Sequence, residues 1–183
     1  MRTCLARTRA LKRRDDEGQG GRWSQGVTAM GDAADRTAIE AHAGRDRLNL
    51  IAGSYRRLTG RNLIDGDAVN ALWHLPSVVL AHGTQSDPLF FYANHAGLRR
   101  FDLDAAGLIG MPSRLSAEPI ERAERDRLFV RVSRQGFIDD YAGVRISASG
   151  RRFRITQATV WNLIDEDGEI HGQAATFADW IDL

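Results

Sequence analysis

The residues able to do chemistry in this chain are few, and their spacing sets them apart from one another. The histidines are His42, His74, His82, His95 and His171, with no His-x-x-x-His pair and no cysteine beside them. That pattern gives no metal centre, because a structural or catalytic zinc needs three or four ligands converging from defined spacings. The single cysteine, Cys4, excludes an internal disulfide. Asp139 and Asp140 are neighbours in a segment that reads as strand, where successive side chains point to opposite faces, so they cannot act together on one substrate atom. Asp165-Glu166-Asp167-Gly168-Glu169 lacks the spacing and the terminal Glu of a calcium loop and reads as a hairpin turn. No Gly-x-Ser-x-Gly elbow, Walker loop or dinucleotide fingerprint occurs. No catalytic residue is assigned, and the expectation is a protein that is not an enzyme.

The remaining candidates form a pocket rather than a reaction centre. With Asp167-Gly168 as a two-residue turn, Trp161 falls opposite Ala174 and Thr159 opposite Thr176. Gln157 and Thr159 then share a face with Phe153, Ile155 and Trp161. A few polar groups among apolar ones, beside small partners, is the composition of a ligand pocket. Tyr92 and His82, the latter leaving a strand just before Gly83, complete the candidate set. Two readings stand: a ligand cavity, or a filled core in which Gln157 bonds backbone and Leu128 and Phe129 occupy the space. His82 likewise either meets a ligand or orders its own loop.

The elements that would position these residues follow from periodicity. Leu48, Ile51, Tyr55 and Leu58 form one stripe of a helix running from Asp35 to Leu58. A second short helix carries Ala68, Val69, Leu72 and Trp73 and ends before Pro76. Val78 to Ala81 and Leu89 to Tyr92 read as two strands. Asn94 caps a short helix through Phe101, the stretch with Gly107, Gly110 and Pro112 stays irregular, and Pro119 opens a helix to about Gln135. Three strands close the chain, around 142–148, 153–163 and 169–177. This predicts an α+β fold: a five-stranded antiparallel sheet with helices on one face, preceded by N-terminal helices.

Length and composition frame the rest. At 183 residues the chain suits one domain, and its 43% hydrophobic and 27% charged residues are ordinary for a soluble protein. Residues 1–29 hold seven basic groups against three acidic ones, net +4, which leaves the remainder at −3. An acidic body is a poor partner for phosphate backbones, so the folded part is not expected to bind nucleic acid. No apolar run is long enough to span a bilayer, and nothing calls for an oxidising compartment, so the expected location is cytoplasmic with no membrane contact. The organisation expected is a disordered basic tail over 1–29, N-terminal helices over 30–76 packing on the domain, and the domain itself over 77–183. The tail is either an arm for an acidic partner or an extension ahead of a start at Met30.

The residues also carry a resemblance. Phe91-Tyr92-Ala93-Asn94-His95-Ala96-Gly97-Leu98, followed by Leu108-Ile109-Gly110-Met111-Pro112, resembles the signature of PAS domains. Ser54 to Gly60, Leu80 to Thr84, Asp87-Pro88, Met111 to Arg114, Gly136 to Tyr141 and Ala158 to Leu163 resemble the MEKHLA family, a PAS-related group of bacteria and of some plant homeodomain-leucine-zipper regulators. The likeness covers roughly residues 45–180. It implies a PAS-like fold and a sensory or regulatory role, exercised through a small-molecule ligand, a homodimer or a signalling partner protein. The family brings no ligand or catalytic residues to carry over. Flavin-adduct photosensing needs a core cysteine, and haem-binding PAS domains commonly use a His on the long helix; neither is present here, so no cofactor is expected. The alternatives are a small α+β-cone enzyme resembling polyketide cyclases and a purely structural interaction domain.

Overall fold

The computed structural model describes residues 20–117, 130–132 and 134–183, with the backbone alone for 20–30. Helix α1 (Gly20–Thr59) is broken at Gly44, whose φ of 74° and ψ of 152° no helix contains. Leu48, Ile51 and Tyr55 are buried as the stripe predicts. α1 starts inside the segment expected to be a disordered tail, so residues 20–29 are helical. Residues 1–19 lie outside the described part.

α2 (Ala68–His74) is capped by Asp67, whose carboxylate accepts from the Asn70 N–H. Strands β1 (Val78–His82) and β2 (Phe90–Ala93) follow, then α3 (His95–Phe101) and the single-turn α4 (Ala105–Leu108). A 3-10 turn spans Ser113–Ser116. The helix expected from Pro119, with Leu128 and Phe129, falls mostly outside the described residues; 130–132, 134 and 135 are helical, and Gly136 ends them at φ 82°. Strands β3 (Phe137–Ile146), β4 (Arg152–Ile164), β5 (Ile170–Phe177) and the short β6 (Trp180–Asp182) complete the chain.

The strands form one antiparallel sheet in the order β2-β1-β5-β4-β3, with β6 pairing β4 beyond the end of β5. The expected five strands are present, and β6 is an addition held by Arg100. That guanidinium lies 3.9 Å over the Phe153 ring and 4.6 Å from Trp180, and pairs with the Asp182 carboxylate.

Asn94 joins three elements. Its buried Oδ1 accepts from Val79 N–H at 2.9 Å and Gly97 N–H at 3.0 Å, while Nδ2 donates to Leu75 O at 3.1 Å and Ser77 O at 2.8 Å. The predicted helix cap is therefore also the tie between β1 and the α2–β1 link.

Two bulges decide which way β4 faces. Between the pairs Gly143–Ile155 and Tyr141–Ala158, Thr156 and Gln157 oppose the single Ala142. Between Tyr141–Ala158 and Ile138–Val160, Asp139 and Asp140 oppose Thr159 and restore the register. The first bulge flips the side chains that follow. Phe153 and Ile155 thus share the inner face with Ala158, Val160 and Asn162, while Thr159, Trp161 and Leu163 turn outward.

The β4–β5 hairpin contains a similar compensation. Asp165 and Glu169 bracket a three-residue loop in place of the expected two-residue turn. An extra residue, His171, sits between the pairs Ile164–Ile170 and Leu163–Gly172. The two offsets cancel, so Thr159 does pair with Thr176 and Trp161 with Ala174.

Candidate ligand site

The inner face is built in rows across the sheet. Val160, Ala175 and Leu80 are consecutive partners on β4, β5 and β1, and the next row is Asn162, Gln173 and His82. Tyr141 of β3 lies opposite Ala158. Between this face and Phe101 of α3, Ser113 and Ser116 lies a cavity of about 80 Å³. Its described walls are mostly apolar: Leu80, Phe90, Ile155, Val160 and Phe177, with Ala158 and Ala175 leaving open floor. A cavity exists because alanines stand where longer side chains would fill the layer.

The structure distributes the seven pocket candidates over several environments and brings only His82 to the cavity wall. His82 also meets the loop-ordering expectation, since its Nδ1 lies 2.9 Å from Gly83 O. Phe153 is on the inner face but fully buried beside it, edge-on to Phe101 at 5.2 Å. Trp161 is on the opposite face under α1, its indole N–H donating to Ser54 Oγ at 3.2 Å and its ring edge-on to Tyr55 at 5.0 Å. Thr159 and Thr176 face each other there, half-buried. Gln157 is exposed and donates to the Asp139 carbonyl. The reason for these departures is the Thr156–Gln157 bulge, which inverts the inferred parity.

Tyr92 pairs with Ala81 and also faces α1. Its phenol is pushed well above its usual pKa, first by burial and then by the Glu40 carboxylate. The hydroxyl has no hydrogen-bond partner among the described residues.

The residues that build the cavity instead are Ala158, Val160, Ala175 and Gln173, with Asn162 behind them. Their alternation with Thr159, Trp161, Ala174 and Thr176 is visible in sequence, but nothing there says which set faces inward. Thr156-Gln157 has neither Gly nor Pro to flag a bulge.

Elsewhere, Asp139 and Asp140 engage different partners, Arg61 at 3.3 Å and Arg131 at 3.0 Å, so they form no acid–base pair. The hairpin does unite one set that spacing kept apart. Ligand atoms of Asp165, Glu169 and His171 lie within 4.8 Å of one another. The Asp165 carboxylate accepts from the Asp167 and Glu169 N–H groups and meets His171 Nε2 at 2.7 Å, and these bonds, His171 first, hold its pKa down. Such an arrangement closes the hairpin, and carries no metal assignment. No described helix is long and apolar enough to cross a membrane.

Comparison with known proteins agrees with this fold. Residues 45–182 match the family model of the MEKHLA domain. The chain is 28% identical to the homeobox-leucine zipper protein HOX10 of Oryza sativa over 139 residues, and 28% to ATHB-9 of Arabidopsis thaliana over 143 residues. Each alignment takes in 71% of this chain but only 16% and 17% of the plant proteins, so the chain spans a small part of these relatives. Among solved structures, a PAS domain from Colwellia psychrerythraea superposes with a TM-score of 0.53 at 13% identity, over 62% of this chain and 92% of that one. The light-state dimer of the fungal blue-light photoreceptor Vivid gives 0.52 at 16%, over 70% and 93%. These likenesses establish the fold and set aside the α+β-cone alternative. The chain belongs to the MEKHLA domain family, and its architecture is PAS-like.

Proposed function

We propose that the domain is a non-catalytic sensor which takes a small molecule into the inner-face cavity and reports its occupancy through the sheet to α1. The observation that supports this reading is the alanine-floored cavity itself, lined mainly by apolar groups and backed by a polar pair. The route outward is short. Trp161, adjacent to Val160 and Asn162 in β4, is hydrogen-bonded to Ser54 of α1, so a shift of the strand is felt by the helix. α1 then presents the change to a second copy of the chain or to a partner protein.

An engineered cavity of roughly 150 Å³ admits benzene, so one of about 80 Å³ favours something smaller. With Cys4 the chain's single cysteine, no described residue supplies the sulfur of a flavin adduct.

The test is to fill the floor. Ala158→Leu adds three carbons to the cavity; it is expected to abolish ligand-induced thermal shifts in a small-molecule screen while leaving the circular dichroism of the sheet intact. Native mass spectrometry of protein purified from its own cells is expected to show a retained adduct on the unmodified chain. Absence of any adduct, together with no thermal shift from any compound, rejects the sensor reading in favour of a structural interaction domain.

A further inference from the structure

One buried polar atom of a residue that lines the cavity is unaccounted for. Gln173 is buried, and its Oε1 has no hydrogen-bond partner among the described residues. Its neighbours determine which atom that is. Asn162 Nδ2 donates to the Val132 carbonyl at 3.2 Å, and a backbone carbonyl can only accept. Asn162 Oδ1 must therefore face Gln173, and Gln173 must turn its Nε2 toward it, at 3.0 Å. Flipping either amide would set oxygen against oxygen or N–H against N–H. The leftover atom is thus an acceptor, and the residue carrying it lines a cavity whose other walls are largely apolar.

Buried acceptors almost always have partners. Val132 O is already shared, since it also accepts the Gly136 N–H at 2.8 Å, so the amide pair is anchored to the end of the helix that precedes β3 and is not free to rearrange. The sequence points the same way: Gln173 follows Gly172, whose φ of 147° lets β5 close onto the end of β1, where an added Cβ would clash with the His82 carbonyl oxygen. The bulge at His171 and this close approach set the parity that brings Gln173 inward.

From this geometry we propose that the cavity selects small, mainly apolar molecules bearing one N–H or O–H donor, and that Gln173 Oε1 is the group that recognises the donor. The inference rests on the cavity reading above and adds the chemistry of its ligand. A molecule offering only acceptors at that position meets a carbonyl oxygen with another lone pair and is rejected. One without polar atoms leaves the oxygen buried and unpaired.

Pyrrole and furan test this directly. Both are five-membered rings smaller than benzene and nearly the same shape; pyrrole presents an N–H where furan presents a lone pair. Each is titrated into the full chain while the methyl signals of Ala158 and Ala175 and the Gln173 side-chain amide are followed by NMR. Pyrrole is expected to bind at least about fivefold more tightly than furan, the range of one neutral hydrogen bond. In Gln173→Met, which keeps the length and removes the acceptor, the preference is expected to fall to about one.

Equal binding of the two rings in the unmodified protein, or a preference for furan, overturns the donor rule while leaving the cavity as a ligand site. A pyrrole preference that persists undiminished in Gln173→Met also overturns it, by placing the recognition elsewhere. Failure of both rings to move the alanine methyls overturns this inference and weighs against the cavity reading itself. The comparison in the unmodified chain is decisive even where the variant does not fold.

Discussion

Replacing Asn94 by Ala removes four hydrogen bonds from a fully buried position. The N–H groups of Val79 and Gly97 and the carbonyls of Leu75 and Ser77 lose their side-chain partner together. Each buried group left unsatisfied costs about 1–3 kcal/mol. The four do not add in full, because the space vacated by the amide admits a water that would restore some of them. A net loss of about 4 kcal/mol is expected, a large share of the 5–15 kcal/mol typical of a domain. Urea unfolding followed by circular dichroism measures it as a lower midpoint with unchanged slope. Asn94→Asp sharpens the test. The introduced carboxylate keeps the acceptor but points a second oxygen at two carbonyls, so burial and those carbonyls raise its native pKa above the usual value of about 4. The native state then binds the proton more tightly than the unfolded chain. The penalty is therefore largest at neutral pH, and shrinks as pH falls through the raised native value toward 4. A loss below about 1 kcal/mol for Asn94→Ala, or a pH-independent penalty for Asn94→Asp, refutes the role assigned to this side chain.

Gly172→Ala sets a Cβ against the His82 carbonyl at a positive φ, and about 3 kcal/mol of stability is expected to be lost in the same assay; a change under about 0.5 kcal/mol removes the close approach from the account. Gln157→Leu is expected to change stability by no more than about 0.5 kcal/mol and to leave pyrrole binding unaltered, because the residue is exposed on the side away from the cavity. The Asp102 carboxylate is held far below the usual range, first by its hydrogen bond to Arg151, with Nε at 3.0 Å. A depressed native pKa stabilises the fold above the unfolded value near 4 and is lost as pH falls below it. The unmodified protein should thus lose more stability than Asp102→Asn between pH 5 and pH 2, and parallel pH profiles would contradict the pairing.

What the sequence by itself determined was everything governed by local rules. Helical spacing located the buried stripe of α1, Asn94 marked the cap of α3, and apolar runs located the strands in their order. Pairing of Thr159 with Thr176 was legible too, although through two offsets that cancel: a three-residue loop and an extra residue at His171. Family motifs such as those around Phe91 to Leu98 carried the fold class beyond periodicity.

Tertiary structure alone decided which side of that pairing faces inward. Strand parity propagates from one reference residue, and a single bulge reverses everything beyond it. At Thr156-Gln157 the bulge lies opposite the single Ala142 of the partner strand, and beyond it Trp161 packs beneath α1. Neither residue has a backbone preference that announces it. The same inversion moved Gln157, Thr159 and Trp161 away from the cavity and brought Ala158, Val160, Asn162 and Gln173 to its side of the sheet. The orphaned oxygen of Gln173 depends on Val132, some forty residues away in sequence, to fix the direction of both amides. Such a chain of donors and acceptors exists only once the strands and helix have met, because the physical constraint is that every buried polar atom answers to its spatial neighbour rather than to its neighbour in the chain.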